Sequence, residues 1–151
     1  MIAVIQRCLN SSVEVDGDTV GSIKNGLVIF LGILKEDNFD DVEYLVKKIN
    51  TIRIFSDNEG KMNLSLKEVG GSVLIISQFT LCANMSSGRR PSFTTAKPPD
   101  ESKILYENFI LLFKKCGVNV QTGKFGKFMN VKIINNGPST FIFNSRRDQA
   151  N

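Results

Sequence analysis

The chain has no histidine among its 151 residues. Without one it has neither a Ser-His-Asp triad nor a His-ligated zinc site, so most side-chain routes to hydrolysis are closed. It also lacks tryptophan, and no apolar run approaches the roughly 20 residues of a membrane span. The apolar opening Met1–Ile5 is followed by Arg7 with no signal-type cleavage site, and is expected to be a strand. Cysteine is sparse. Cys8, Cys82 and Cys116 are odd in number and widely spaced, and form neither a disulfide framework nor a C-x-x-C metal knuckle. A reducing, cytoplasmic setting is the expectation, with no metal, no cofactor and no membrane partner. Internal repeats, low-complexity tracts and linkers are missing too. One domain is therefore expected over residues 1–145, burying about two-thirds of its unfolded surface, followed by a polar tail, 146–151.

What is present begins with a mild positive charge, +4 at neutral pH, with a pI of about 9.0. That permits attraction to a polyanion without demanding it. The cations concentrate at Arg89-Arg90, Lys114-Lys115, Lys124/Lys127 and Arg146-Arg147. Taken singly, each reads as a solvated face.

Residues 2–8 and 12–15 read as strands, the second ending at the hairpin signal Asp16-Gly17. Strands Thr19–Ile23 and Leu27–Gly32 follow around Asn25-Gly26. Phe39–Asn50 reads as a helix, because Val42, Leu45, Val46 and Ile49 recur at helical spacing and Asn38 or Asp40 can cap its start. Thr51–Phe55 is strand-like, and residues 56–60 are a polar loop. Ser72–Phe79 is apolar enough to be a strand buried on both faces. Pro98-Pro99-Asp100 opens a helix to Cys116, with Ile104, Leu105, Phe109, Leu112 and Phe113 inward and Gly117 as its stop. Val118–Thr122, Met129–Asn135 and Thr140–Phe143 complete the strands. The expected class is α+β: a single domain of mixed or antiparallel sheets with two principal helices.

Two strings stand out. Ser77-Gln78-Phe79-Thr80-Leu81 lies where a buried strand emerges into a polar loop, a location that holds backbone rigidly at the edge of solvent. On pattern alone it reads first as a strand end whose hydroxyls make local turn bonds. Thr80 is a weak nucleophile without a base, but exposed backbone amides here would hold an oxyanion. Asn135-Asn136-Gly137-Pro138-Ser139-Thr140 interrupts an apolar strand with turn signals.

Together these strings resemble the signature pair SQFTL and NxGPxT of D-aminoacyl-tRNA deacylases (D-tyrosyl-tRNA(Tyr) deacylases). The likeness runs from Ile5-Gln6-Arg7 to Thr140. Gly88-Arg89-Arg90-Pro91-Ser92-Phe93 is similar to the family's G-x-R-P-S-F stretch, and the segment from Thr122 to Met129 to its T-G-x-F-G-x-x-M stretch. Ser139 departs from the usual valine, and Ser102 from a small alanine. The resemblance implies the family's fold and a carboxylic ester hydrolase that proofreads chirality in translation by releasing D-amino acids, and glycine, from tRNA. It implies a homodimer in which each subunit inserts a cis Gly137-Pro138 into its partner's active site, where the carbonyls of this pair leave no room for an L side chain. Ser77, Gln78, Phe79 and Thr80 would then be the catalytic floor, and Arg7 would brace the Gly-Pro element through Gln78. Phe125 and Met129 would line the pocket for the terminal adenosine or the aminoacyl group.

Such a hydrolase can do without histidine. Removing one oxyanion donor in hydrolases costs about 2.7–4 kcal/mol, so amides supply a useful share of the barrier. In this family the substrate's own ribose 2′-hydroxyl is thought to help activate water. That selects RNA over DNA, so the expected partner is the acceptor end of aminoacyl-tRNA and not DNA. Two alternatives remain: an editing deacylase for mischarged L-aminoacyl-tRNA, and a non-catalytic RNA-binding module. The second lacks an RNP-type aromatic strand or a GXXG loop.

Overall fold

The computed structural model describes residues 1–86 and 88–146. A long strand, β1 (Ile2–Val15), is the spine. β2 (Asp18–Ile23) and then β3 (Gly26–Gly32) pair with its C-terminal and N-terminal halves in turn. The last strand, named β8 (Asn130–Asn144) in chain order, runs antiparallel along β1 from Ile2 to Glu14. β6 (Ser72–Ser77) adds to β3 in parallel, and β7 (Asn119–Thr122) to β6 likewise, giving a mixed six-stranded sheet. β4 (Arg53–Ser56) and β5 (Met62–Ser65) form a separate two-stranded ribbon. The sheet curls, so that β2 comes back toward β7. At Gly21 the approach is so close that a Cβ would stand 2.7 Å from the Thr122 carbonyl oxygen.

Two helices cover one face. α1 (Phe39–Thr51) starts at Asn38, whose side chain accepts from the Asp40 amide while Asp41 reaches back to the Asn38 amide at 3.0 Å. This is a capping box. α2 (Pro99–Lys115) buries Ser102, Tyr106, Phe109 and Phe113. Full burial of rings such as Phe109 and Phe113 contributes about 1.5–3 kcal/mol each. Ile104, expected inward, is 60% exposed. Tyr106 takes the inward place because it lies four residues after Ser102 and three before Phe109, on the same helical stripe.

Both apolar clusters follow from strand alternation. Ala3 and Ile5 join the helix-side core, while Cys8 and Val13 join a smaller cluster with Ile23, Val28, Leu74 and Ile76. An odd residue, Val13, shares a cluster with an even one because the β1–β8 register shifts around Cys8. An irregularity of this kind moves the side chains that follow to the other face.

Several boundaries differ from expectation for one reason. Segments 2–8 and 12–15 are a single strand because β1 pairs with β8 through Asn10 and Ser11, and Met129–Asn135 and Thr140–Phe143 are joined in β8 across a bulge at Asn136 to Ser139. β5 was not expected from its mixed sequence. β6 ends at Ser77, and Phe79–Cys82 is a 3-10 turn. Of the tail expected over 146–151, Arg146 is held by contacts to Glu36 and Asp37; the rest, including Arg147, lies outside the described residues.

Candidate active site

The Ser77–Thr80 string is positioned by the two parallel neighbours of β6. Ser77 pairs with Leu31, and the Gln78 amide donates to the Leu31 carbonyl at 2.8 Å as the last rung. The chain then tightens: the Leu81 amide donates to the Gln78 carbonyl (3.2 Å) and the Ala83 amide to the Thr80 carbonyl (3.1 Å). The amides of Phe79 and Thr80 open this turn and have no acceptor among the described residues. They are therefore free to donate to a ligand. Phe79 is 61% exposed and its ring pairs edge-to-face with that of Phe93, centroids 4.9 Å apart, which ties the Gly88–Phe93 stretch to the turn.

No side chain here is an activated nucleophile. The Thr80 hydroxyl accepts a hydrogen bond from Gln78 Nε2, and no described carboxylate or amine takes its proton. Cys82 ends the turn, but burial, with the Asp37 charge, pushes its thiol up to about 11. Such a thiol stays protonated and inert at neutral pH.

Phe125 and Met129 flank the same strand end from two sides. The Ile75 carbonyl accepts from the Gly123 amide (3.2 Å) and from the Tyr106 hydroxyl (2.9 Å), and Phe125 packs on Tyr106 at 5.4 Å. Burial raises the Tyr106 pKa, so its hydroxyl remains a donor. Phe125 belongs to the helix-side core, whereas Met129 packs into the smaller cluster beside Ile76. Ser102 spends its hydroxyl locally, donating to the Pro99 carbonyl at 3.0 Å.

Gly137 and Pro138, joined by a cis bond, protrude from β8. Gln6 pairs with Thr140 and Cys8 with Asn135, so Asn136 to Ser139 stand opposite the single residue Arg7. Both Gly137 and Pro138 are exposed at the crest. Arg7 Nε donates to the Asn136 carbonyl (2.9 Å), and its Nη1 to the Ile54 carbonyl on β4 (2.6 Å). The Asn135 side chain closes the bulge, accepting from the Ser139 amide at 2.8 Å and donating to Thr140 Oγ1 at 3.2 Å. Gln6 Nε2 donates to the same hydroxyl at 3.1 Å. Gly137 has φ +140°, and a Cβ there would lie 3.1 Å from Arg7 Nη2. Within the chain the brace from Arg7 is thus direct, not through Gln78, whose side chain is occupied by Thr80. Sequence reasoning missed Ile54, which acts through its carbonyl and carries no side-chain signal. It also gave Asn135 no role, although that residue opens the second string.

One chain does not bring the two strings together. Ser77 pairs with Leu31, Leu31 with Ala3, and Ala3 with Phe143, whereas the bulge faces Arg7, four residues on (7 − 3 = 4). Three strand spacings across and four residues along place the strings roughly 20 Å apart over the sheet.

A solved structure titled c-Myc DNA Unwinding Element Binding Protein has this fold, with TM-score 0.90 and 34% identity over 95% of this chain and 98% of that one. A structure of a probable eukaryotic D-amino acid tRNA deacylase shares it at TM-score 0.82 and 18% identity, covering 94% of this chain and 97% of that one. The fold is thus a shared one, and the turn with its two free amides offers a place for an anion without a side-chain triad. The chain belongs to the D-Tyr-tRNA(Tyr) deacylase family, which it matches over residues 4–144. It is 50% identical over 147 residues to the D-aminoacyl-tRNA deacylase of Thermosipho africanus, covering 97% of this chain and 99% of that protein.

Proposed function

We propose that the protein hydrolyses the ester between a D-amino acid and the 3′-terminal ribose of tRNA, at sites shared between two copies of the chain. The carrying observation is the separation of the two signature strings within one chain, with the Gly137–Pro138 crest exposed and rigidly braced. A second copy related by a twofold axis supplies what each copy lacks, since such an interface repeats the same patch on both subunits. The Ser77–Thr80 turn of one subunit then faces the Gly137–Pro138 crest of the other.

In that arrangement the amides of Phe79 and Thr80 receive the negative charge that develops on the ester oxygen. Donors that are rigid beforehand need no reorganisation when the charge appears. The ribose 2′-hydroxyl assists the attacking water, which accounts for a site without a protein base. The Gly137 and Pro138 carbonyls lie near the α-amino group and exclude an L side chain, while Phe125 and Met129 border the adenosine. Glycine has no side chain to exclude, so glycyl-tRNA is also cleaved.

The test follows ester loss from matched D-tyrosyl-, L-tyrosyl- and glycyl-tRNA. Cleavage of the D and glycyl esters with sparing of L supports the reading; equal D and L rates overturn it. Mixing a Gly137→Phe chain with a Thr80→Trp chain tests sharing. Recovery of activity on mixing, when each chain alone is inactive, supports a site built by two copies, and a fully active monomer refutes it.

A further inference from the structure

A groove of about 300 Å3 runs between Leu34–Glu36 and Thr94–Thr95, with Arg146 at its edge. It joins the candidate active site physically. Thr95 Oγ1 donates to the Cys82 carbonyl at 2.6 Å, at the end of the Phe79–Cys82 turn, and Phe93 precedes its wall while touching Phe79. The Leu34–Glu36 rim is fixed from both sides: the Lys35 amide donates to the Thr95 carbonyl (2.9 Å) and Lys97 Nζ to the Lys35 carbonyl (2.6 Å). With its backbone satisfied, Lys35 exposes an ammonium that has no ion-pair partner among the described residues.

Arg146 is pinned by the Glu36 carbonyl and lies 3.6 Å from Asp37 Oδ1. That carboxylate already accepts the Met1 ammonium at 2.5 Å, so Asp37 is shared between two cations. The guanidinium keeps further N–H donors for a ligand. Among the described residues Glu36 is the one acidic side chain lining the groove, against Lys35 and Arg146. Two cations in a groove whose Thr94–Thr95 wall continues into Phe93, paired with Phe79, suit a single-stranded polynucleotide, in which phosphates alternate with stackable bases.

We propose that this groove holds the sugar-phosphate backbone of the single-stranded acceptor end, with Lys35 and Arg146 on the phosphates that precede the terminal adenosine. The exposed Phe79 ring, paired with Phe93, offers apolar surface to a neighbouring base. This rests on the deacylase reading above, because the groove leads away from the turn where the ester would lie.

The experiment compares D-tyrosyl-tRNA with D-tyrosyl-adenosine, which carries the same ester and no phosphate, in the full-length protein. Lys35→Glu is expected to raise KM for the tRNA about tenfold at unchanged kcat, and to leave D-tyrosyl-adenosine hydrolysis as it was. Lys35→Ala is expected to reduce the salt slope of tRNA binding by about one, and Lys35→Arg to restore it. Equal losses on both substrates overturn the proposal, as does an unchanged KM for the tRNA. A change of molecular mass in light scattering also overturns it, by making the groove an interface between copies. Failure of the deacylase reading is distinguishable, since the unmutated protein would then not cleave D-tyrosyl-tRNA at all.

Discussion

Arg7 holds Asn136 in place: its Nε reaches the carbonyl that immediately precedes Gly137, and its Nη1 anchors the same guanidinium to Ile54. The spine strand β1, an exposed crest and a separate ribbon are therefore joined through one buried cation. Lysine offers a point charge and cannot make this fork.

Arg7→Lys is expected to lose at least one charge-assisted bond, a cost of about 1.5–3 kcal/mol. Urea unfolding measures it. If the crest sets chirality, discrimination between D- and L-tyrosyl-tRNA should fall more than the rate on glycyl-tRNA. An unchanged unfolding midpoint would show that the bonds to Asn136 and Ile54 do not matter.

Thr80→Ala should retain substantial activity, because its hydroxyl has no described base and the amides remain. A substrate ending in 2′-deoxyadenosine should be cleaved far more slowly. Mass spectrometry of quenched reactions is the check, and an acyl group trapped on Thr80 would restore a protein nucleophile.

Ser139 is 4% exposed and its hydroxyl has no hydrogen-bond partner among the described residues. A buried hydroxyl without a partner costs about 1–3 kcal/mol. Ser139→Ala removes that cost at the loss of few contacts, so thermal unfolding should move upward, by about 1 kcal/mol of stability. A fall in Tm would mean that the hydroxyl has a partner in solution.

Cys8 and Cys82 have thiols raised to about 11, chiefly by burial, from an ordinary value of 9.0. A raised folded pKa gives stability that is complete below pH 9 and is lost as pH rises toward 11, where the unfolded chain alone gains thiolates. Denaturation midpoints should therefore decline over that window, and less so in Cys8→Ala. At pH 8 a thiol reagent should label only the exposed Cys116, and all three cysteines after unfolding.

Much of the architecture was legible because local signals agree with burial. Asp16-Gly17 and Asn25-Gly26 mark the turns, Val42 to Ile49 keep helical spacing, and Val73–Ile76 is continuously apolar. Ile104 and Tyr106 show the limit. Both are large and largely apolar, and only the packed stripe through Ser102 and Phe109 decides which one turns inward. The continuity of β1 and β8 was hidden because their partner strand is distant in sequence, and β5 because its mixed residues carry no alternation of their own and pair only with β4.

For the site, the sequence by itself determined which groups are available. Without histidine no Ser-His-Asp triad can form, and the two strings with their neighbours carry the likeness to the family. The tertiary structure alone decided where those groups stand. Pairing across β6, β3, β1 and β8 separates the turn from the crest, and opposes four residues of β8 to Arg7 alone. It also recruited the carbonyls of Asn136 and Ile54 to one guanidinium. Every residue carries the same backbone carbonyl, so its part in a site depends on register and curl, which no residue type encodes locally.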